Sequence, residues 1–474
     1  MKRKALVLGG GFAGGSAAIH LALKGVHVTL LEGQPTLGGK AGRFEQNGFH
    51  FDTGPSVFTM RRVIEDLFKA AGREVPFVLK PLEPLCRYSY PSGRIWDVYQ
   101  DVDRTVSQLE PKEAKAYVAL LAEAKRLYEI SAPTFIEGQA PTTLELARYG
   151  LKHGLSAHPN LTLPQLLESY KASPDLTQFF LRFATYFGAD PYRAPAVLHN
   201  IAWVELGLGV YYPTGGIGTV VNALERLAKD LGVDIQTNMK VEKLEQKGSL
   251  VTHVHSSKGV FQPDVVVSSL DILRTHKLLG KATKLERLEP SLSGFVLLLG
   301  VSGNTPTLSH HTISFSSDYA GEFKTIRSRQ VPDDPTLYFN VSSKSDPADS
   351  PENCENWFVM ANAPALREGQ NLDEKAYAKQ LIEVMEARGL QVKRRVQLQH
   401  VLGPEYLSTF AERGSIYGTA PHSLRTTLRP KQRIAGISNL VLAGGTVFPG
   451  GGIPLSLLSG KAAAELAFQP NSTE

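Results

Sequence analysis

Six residues near the N-terminus carry the clearest chemistry: Gly9-Gly10-Gly11-Phe12-Ala13-Gly14. In this spacing Gly9 permits a tight turn, Gly11 lets the backbone approach a pyrophosphate, and Gly14 lets a helix lie close on a sheet. Phe12 and Ala13 open that helix, whose first N–H groups lack intrahelical partners and suit phosphate oxygens. Glu32 supplies a carboxylate able to accept hydrogen bonds from ribose hydroxyls. The pattern points to dinucleotide binding, and the elements that must position it are in register. An apolar run over 5–8 precedes the turn, a helical stretch over 13–24 follows it, and a second apolar run, Val26-His27-Val28-Thr29-Leu30-Leu31, ends at Glu32. Strand, glycine turn, helix, strand and acid predict a Rossmann-like α/β fold.

The next stretch favours FAD over NAD. A second glycine pair, Gly38-Gly39, comes just after the ribose acid and leads through Lys40 to Arg43, then to Asp52-Thr53-Gly54-Pro55. A flavin enzyme has reason for such a turn, because the isoalloxazine and its ribityl chain run back under the chain there. Gly39, Gly54 and Pro55 are therefore candidate cofactor contacts. Lys40 or Arg43 could neutralise the pyrophosphate, the other being a solvated surface cation. Asp52 reads as a turn-stabilising carboxylate, since Asp-Thr-Gly-Pro is good turn chemistry in any protein.

On these residues the N-terminal block resembles the flavin-containing amine oxidase superfamily, and within it the bacterial carotenoid (phytoene) desaturases. Gly209-Val210-Tyr211-Tyr212-Pro213-Thr214-Gly215-Gly216 is similar to that family's central glycine motif, and Leu308-Ser309-His310-His311-Thr312-Ile313 to its substrate-domain strand. The block from Ala443 to Pro454, Ala-Gly-Gly-Thr-Val-Phe-Pro-Gly-Gly-Gly-Ile-Pro, is the most specific. It resembles the flavin-closing motif, and with Leu458-Ser459-Gly460-Lys461 it looks most like the hydroxycarotenoid 3,4-desaturase branch. Gly414-Ser415-Ile416-Tyr417-Gly418 and Arg429-Pro430 point the same way. Two positions depart from the family: Phe448 stands where His is usual, and Lys40 where Arg is usual. The resemblance implies non-covalent FAD, with Gly445, Thr446, Gly452, Ile453 and Pro454 closing over the flavin and the Val241 backbone pairing with the adenine.

The chain has 474 residues, 42% apolar and 20% charged, and carries a net charge of +5. It is too long for one ordinary core. The charge suits an anionic cofactor or an acidic membrane surface, and no basic run with interleaved aromatics argues for nucleic acid. Cys86 and Cys354 form no redox pair or metal motif. There is no second G-x-G-x-x-G, which argues against flavin reduction by NADPH. Met1-Lys2-Arg3-Lys4 leads straight into the first strand, and no apolar run approaches the ~18 residues of a membrane span. A cytoplasmic protein, peripherally bound to a membrane, is expected.

The FAD-binding domain is expected from three pieces, 1–85, 209–282 and 428–474. A mostly helical insert or membrane-contact region spans 86–208, with a helix over 113–130 that Pro133 ends. A mixed-sheet substrate domain spans 283–427. Helices are predicted over 220–231, 373–388 and 454–467, and disorder from Gln469. Leu144, Leu146, Tyr149 and Leu151, with Arg148 and Lys152, suit an interfacial helix as well as an ordinary amphipathic one.

The resemblance implies desaturation of an acyclic carotenoid, at the 3,4-bond of a 1-hydroxylated end group, by hydride transfer to flavin N5, with quinone or oxygen as acceptor. Phytoene desaturase is the alternative reading; carotenoid isomerase, ketolase, amine oxidase and a flavin-free prenyl-lipid escort protein are further ones. No general base stands out. His310 and His311 are candidates to line a cavity, and alternation along a strand allows one of them at most. Glu205, Tyr211, Tyr212 and Arg413 are weaker candidates.

Overall fold

Three short runs, Lys4–Leu8, Val265–Ser268 and Leu440–Leu442, are buried almost throughout, as strands covered on both faces must be. With His27–Leu31 and Asp234–Gln236 they form a five-stranded parallel sheet. Its order is 440–442, 265–268, 4–8, 27–31, 234–236, so strands remote in sequence lie side by side. The computed structural model describes residues 3–367 and 372–469.

Helices Phe12–Leu23, Ile217–Asp230 and Ile453–Leu466 share an apolar core with one face of this sheet. The other face packs against a three-stranded antiparallel sheet of Val241–Lys247, Leu250–Ser256 and Gly259–Phe261. Helices 12–23 and 453–466 approach closely. A Cβ on Gly460 would lie 2.2 Å from the carbonyl oxygen of Ala13, and the Ser16 hydroxyl donates to the Leu457 carbonyl at 2.7 Å. Asp52 joins two distant pieces of chain. Its carboxylate accepts the N–H groups of Ile217 (2.7 Å) and Gly218 (3.2 Å), capping helix 217–230 from 165 residues away.

A seven-stranded mixed sheet forms the second layer, in the order 396–402, 293–302, 354–363, 337–340, 311–314, 86–89, 95–98. One face is closed by helix Glu374–Ala387; the other carries the cavity described below. Two expectations need correction. The first is the boundary at 86: the stretch 86–208 is mostly helical, but its first two strands, Cys86–Ser89 and Ile95–Val98, belong to this sheet. Their alternation of Cys86, Tyr88, Trp96 and Val98 inward with Arg87 and Asp97 outward is the period of a strand. Pro133 does not end its helix, which runs Pro111–Phe135. The carbonyl that Pro133 leaves without a donor belongs to exposed Glu129, where water can serve it. Of the tail expected to be disordered, residues 470–474 lie outside the described residues.

Candidate active site

The parallel sheet ends in a cradle built from backbone. After strand 4–8, Gly9 turns at φ +94°, and a Cβ on Gly14 would lie 1.9 Å from the Gly9 carbonyl oxygen. Glycine at 14 is therefore what lets helix 12–23 start against the strand. Helices 12–23 and 453–466 both begin at a glycine, Gly11 and Gly452, without a side-chain cap. Their first N–H groups are left for an anion, and Phe12, Ala13, Ile453 and Pro454 line one large cavity of about 1490 Å³. Gly54 packs so closely that a Cβ would sit 1.9 Å from the Lys40 carbonyl oxygen, and Gly451 faces the Tyr417 ring in the same way. Such cradles suit a flat, extended ligand lying against backbone.

Glu32 closes the far end. It is buried and lines the cavity, with its oxygens accepting the N–H groups of Gly10 (2.7 Å) and Gln34 (2.8 Å). These bonds hold the carboxylate still and leave lone pairs for hydroxyl donors. Met239 and Asn238 hydrogen-bond back to Glu32 and Gln34, which brings Val241 to the same end. Lys40 reaches into the cavity and donates to the Ile416 carbonyl at 2.6 Å. Burial pulls its ammonium down to about 8, with Asp271 opposing.

The other half of the cavity has a sheet for a wall. Val296, Met360, Tyr338 and Ile313 stand in one row across four strands. Helical residues Leu198, Ile201 and Val204 face them. The combined volume exceeds the roughly 300–1,000 Å³ usual for a single small-molecule pocket. The cavity also reaches Phe135, Tyr149, Gly150 and Gly154, beside helix Thr143–His153.

The predicted residues separate by location. Gly9, Gly11, Phe12, Ala13, Glu32, Gly39, Lys40, Gly54, Pro55, Val241, Gly445, Thr446, Gly452, Ile453 and Pro454 line the cavity, and Gly14 lies beneath it. Arg43 is not among the lining residues: it ion-pairs with Glu45 at 2.5 Å and donates to the Gly215 carbonyl. Of the two basic candidates, Lys40 is the one turned inward. Glu205 lines the cavity, paired with buried Arg182 and accepting from the Tyr186 hydroxyl at 2.7 Å.

His310 and His311 are not among the lining residues. His310 bonds Ser345 at 2.7 Å, and burial lowers its imidazole to about 3. His311 points to the same side of the sheet as the apolar row, but Tyr338, at 2.9 Å, covers it. Tyr212 bonds Asp349, and Arg413 donates to the Glu286 carbonyl at 2.8 Å, away from the cavity. Polar residues picked out by type alone were thus mostly structural.

Several lining residues stood in the sequence only inside family-like motifs, with no site role assigned, or carried no signal at all. Tyr417 and Phe187 bracket the C-terminal glycines, and Arg429 lies 4.2 Å over the Phe187 ring. Burial pulls the Arg429 guanidinium down to about 10. Only contact across the fold selects these side chains.

A family model described as flavin containing amine oxidoreductase matches residues 12–467. The chain belongs to that family. Among the relatives of this flavin-containing amine oxidoreductase is the 1-hydroxycarotenoid 3,4-desaturase of Flavobacterium sp. (strain P99-3). It is 32% identical over 99% of this chain and 100% of the relative. The 4,4'-diapolycopene oxygenase of Methylomonas sp is 31% identical, over 97% of each chain. The resemblance to the carotenoid desaturase family thus extends over the whole chain. Among solved structures, cyclohexylamine oxidase from Brevibacterium oxydans IH-35A superposes with a TM-score of 0.64 at 15% identity, covering 98% of this chain and 99% of that one. A fatty acid isomerase from P. acnes does so at 0.61 and 14%, covering 99% of each. The fold is that of the FAD-dependent amine oxidases, and the protein is an FAD-dependent oxidoreductase. The two uncapped helix starts, the close-packed glycines and the fixed Glu32 carboxylate all fit FAD.

Proposed function

We propose that this protein desaturates an acyclic carotenoid, at the 3,4-bond of a 1-hydroxylated end group. The observation that carries the reading is a cavity of about 1490 Å³ that runs from the dinucleotide cradle along an apolar sheet wall. The full-length likeness to a 1-hydroxycarotenoid 3,4-desaturase supports it. FAD, when bound, supplies the acceptor for the hydride removed, and a quinone or oxygen takes the electrons onward. The protein's own share is positioning and exclusion of water. The Val296, Met360, Tyr338 and Ile313 row holds the chain straight. The Arg182–Glu205 pair, with both charges compensated, adds a fixed polar point to an otherwise apolar wall. A positive centre beside a polyene is delocalised and loses its proton readily, so no strong base is required of these side chains.

The substrate enters from a membrane. Helix Thr143–His153 has no buried residue, and Leu144, Leu151 and Leu155 are 59%, 90% and 91% exposed. Tyr149, Gly150 and Gly154 on the same segment line the cavity, so the leucines stand at its mouth. Among the described residues no helix is long and apolar enough to cross a bilayer. Replacing Leu151 and Leu155 by Ser is expected to lower liposome co-sedimentation and raise KM for membrane-borne substrate. Unchanged partitioning would move the membrane contact elsewhere.

The reading is tested by mixing FAD-loaded protein anaerobically with liposomes carrying either phytoene or a 1-hydroxylated acyclic carotenoid, while flavin absorbance is followed. Bleaching with the hydroxycarotenoid alone is the expected result. Bleaching with phytoene would place the protein at the first desaturation. Bleaching with neither would refute carotenoid desaturation and direct attention to amines and isomerisation.

A further inference from the structure

The apolar wall has one polar end. In the row next to Val296, Met360 and Tyr338 stand Gly294 and Asn362, which pair in register, followed by Thr336, adjacent to the Leu337–Ala361 pair. Asn362 and Thr336 both line the cavity. Behind them lies Glu322, on helix Tyr319–Arg327 and buried from solvent. Its carboxylate accepts the Thr336 N–H at 2.9 Å and the Asn362 side-chain N–H at 3.4 Å. Burial pushes Glu322 up to about 7, and these bonds hold it down against that.

The arrangement fixes which way Asn362 presents itself. With its amide N–H turned to Glu322, its carbonyl oxygen Oδ1 is left for the cavity, and among the described residues it has no protein partner. Tyr319 lies one turn before Glu322 on the same helix and also lines the cavity. Its ring is held edge-on by Phe315 (5.7 Å) and Phe323 (5.1 Å), and its hydroxyl has no hydrogen-bond partner among the described residues. One free acceptor and one free donor therefore flank the same carboxylate at the end of a hydrocarbon channel.

We propose that Asn362 and Tyr319 form an alcohol-binding end of the cavity, which recognises the hydroxyl of the substrate's end group. This rests on the desaturase reading above. An alcohol satisfies both groups: its O–H donates to Asn362 Oδ1, and its oxygen accepts from the Tyr319 hydroxyl. A plain hydrocarbon leaves both cavity-facing polar groups unpaired, and a carbonyl sets its lone pairs against Asn362 Oδ1. Glu322 and Thr336 are positioning residues, since they act by holding Asn362.

The test compares kcat/KM for a 1-hydroxylated acyclic carotenoid with that for the same carbon skeleton lacking the hydroxyl, in identical liposomes. The proteins are wild type, Asn362→Leu and the near-isosteric Tyr319→Phe, each matched for FAD content. Wild type is expected to favour the hydroxylated substrate about a hundredfold, and each variant to cut that ratio about tenfold. A large wild-type preference that survives both substitutions would overturn the alcohol site and leave the desaturase reading standing. So would a fall in activity equal for both substrates, the mark of a merely structural role. Turnover of both substrates at the same rate by wild type would refute hydroxyl recognition, and turnover of neither would refute the desaturase reading itself.

Discussion

Gly460→Ala adds one methyl group about two turns into helix 453–466, outside the cavity lining, and the cradle should respond. The new Cβ would lie 2.2 Å from the Ala13 carbonyl oxygen, 2.8 Å from Ser16 Cβ and 2.9 Å from the Ala17 nitrogen. Ordinary contacts between such atoms are about 3.5 Å, so the two helices must part by about 1 Å. Overpacking of this kind costs about 1–3 kcal/mol, and the better helix propensity of alanine returns about 1 kcal/mol. The net loss of stability is at most about 2 kcal/mol. The larger effect falls on FAD, because both helices start at the cavity. A shift of about 1 Å breaks a hydrogen bond to an anion, worth about 1.5–3 kcal/mol, and so weakens FAD about ten- to a hundredfold. Gly15→Ala is the control. It lies on helix 12–23, and its Cβ would meet nothing within 4 Å. There the same methyl should stabilise by up to about 1 kcal/mol and leave FAD affinity unchanged. The assay is fluorescence titration of FAD into apoprotein, with thermal unfolding alongside. Wild-type FAD affinity in Gly460→Ala would refute the idea that this helix approach sets the cradle.

Two further predictions concern charge. Glu322→Gln should alter how stability depends on pH. The folded pKa of Glu322 lies above its unfolded value of 4.5, at about 7. Its contribution is full below pH 4.5 and is lost as pH rises through 7, about 3 kcal/mol in all. The variant should therefore gain on wild type between pH 5 and pH 8, read as the difference in unfolding free energy at the two pH values; a constant difference would contradict the burial argument. Lys40→Met should weaken FAD binding about tenfold or more, whereas Arg43→Met should change it by less than about twofold. Equal losses in the two variants, measured by FAD titration, would show that the inward turn of Lys40 does not matter.

The cradle was legible in the sequence because it is made of local backbone. Gly9, Gly11, Gly14 and Glu32 lie within one strand–helix–strand unit, where type and spacing already fix the geometry. The C-terminal glycines were legible through their run and the strand before them. The substrate wall was not, because Asn362, Thr336 and Tyr319 meet only through cross-strand register and a helix packed behind the sheet. His310 and His311 drew attention by type, yet the fold uses them for hydrogen bonds under Tyr338 and beside Ser345. Asp52 read as a turn carboxylate, whereas its bonds to Ile217 and Gly218 make it a cap for a helix from a later segment.

The contact between the Ser16 hydroxyl and the Leu457 carbonyl joins residues 441 positions apart. During synthesis the nucleotide fingerprint leaves the ribosome 441 residues ahead of the contact point on the helix that completes its anion site. At about 5–20 residues per second, that is a delay of about 20–90 s. Until then a nascent chain offers FAD only half a cradle, with strand 265–268 short of its neighbour 440–442. Cofactor loading is therefore a late event, and a cell short of flavin would accumulate full-length apoprotein rather than arrested fragments.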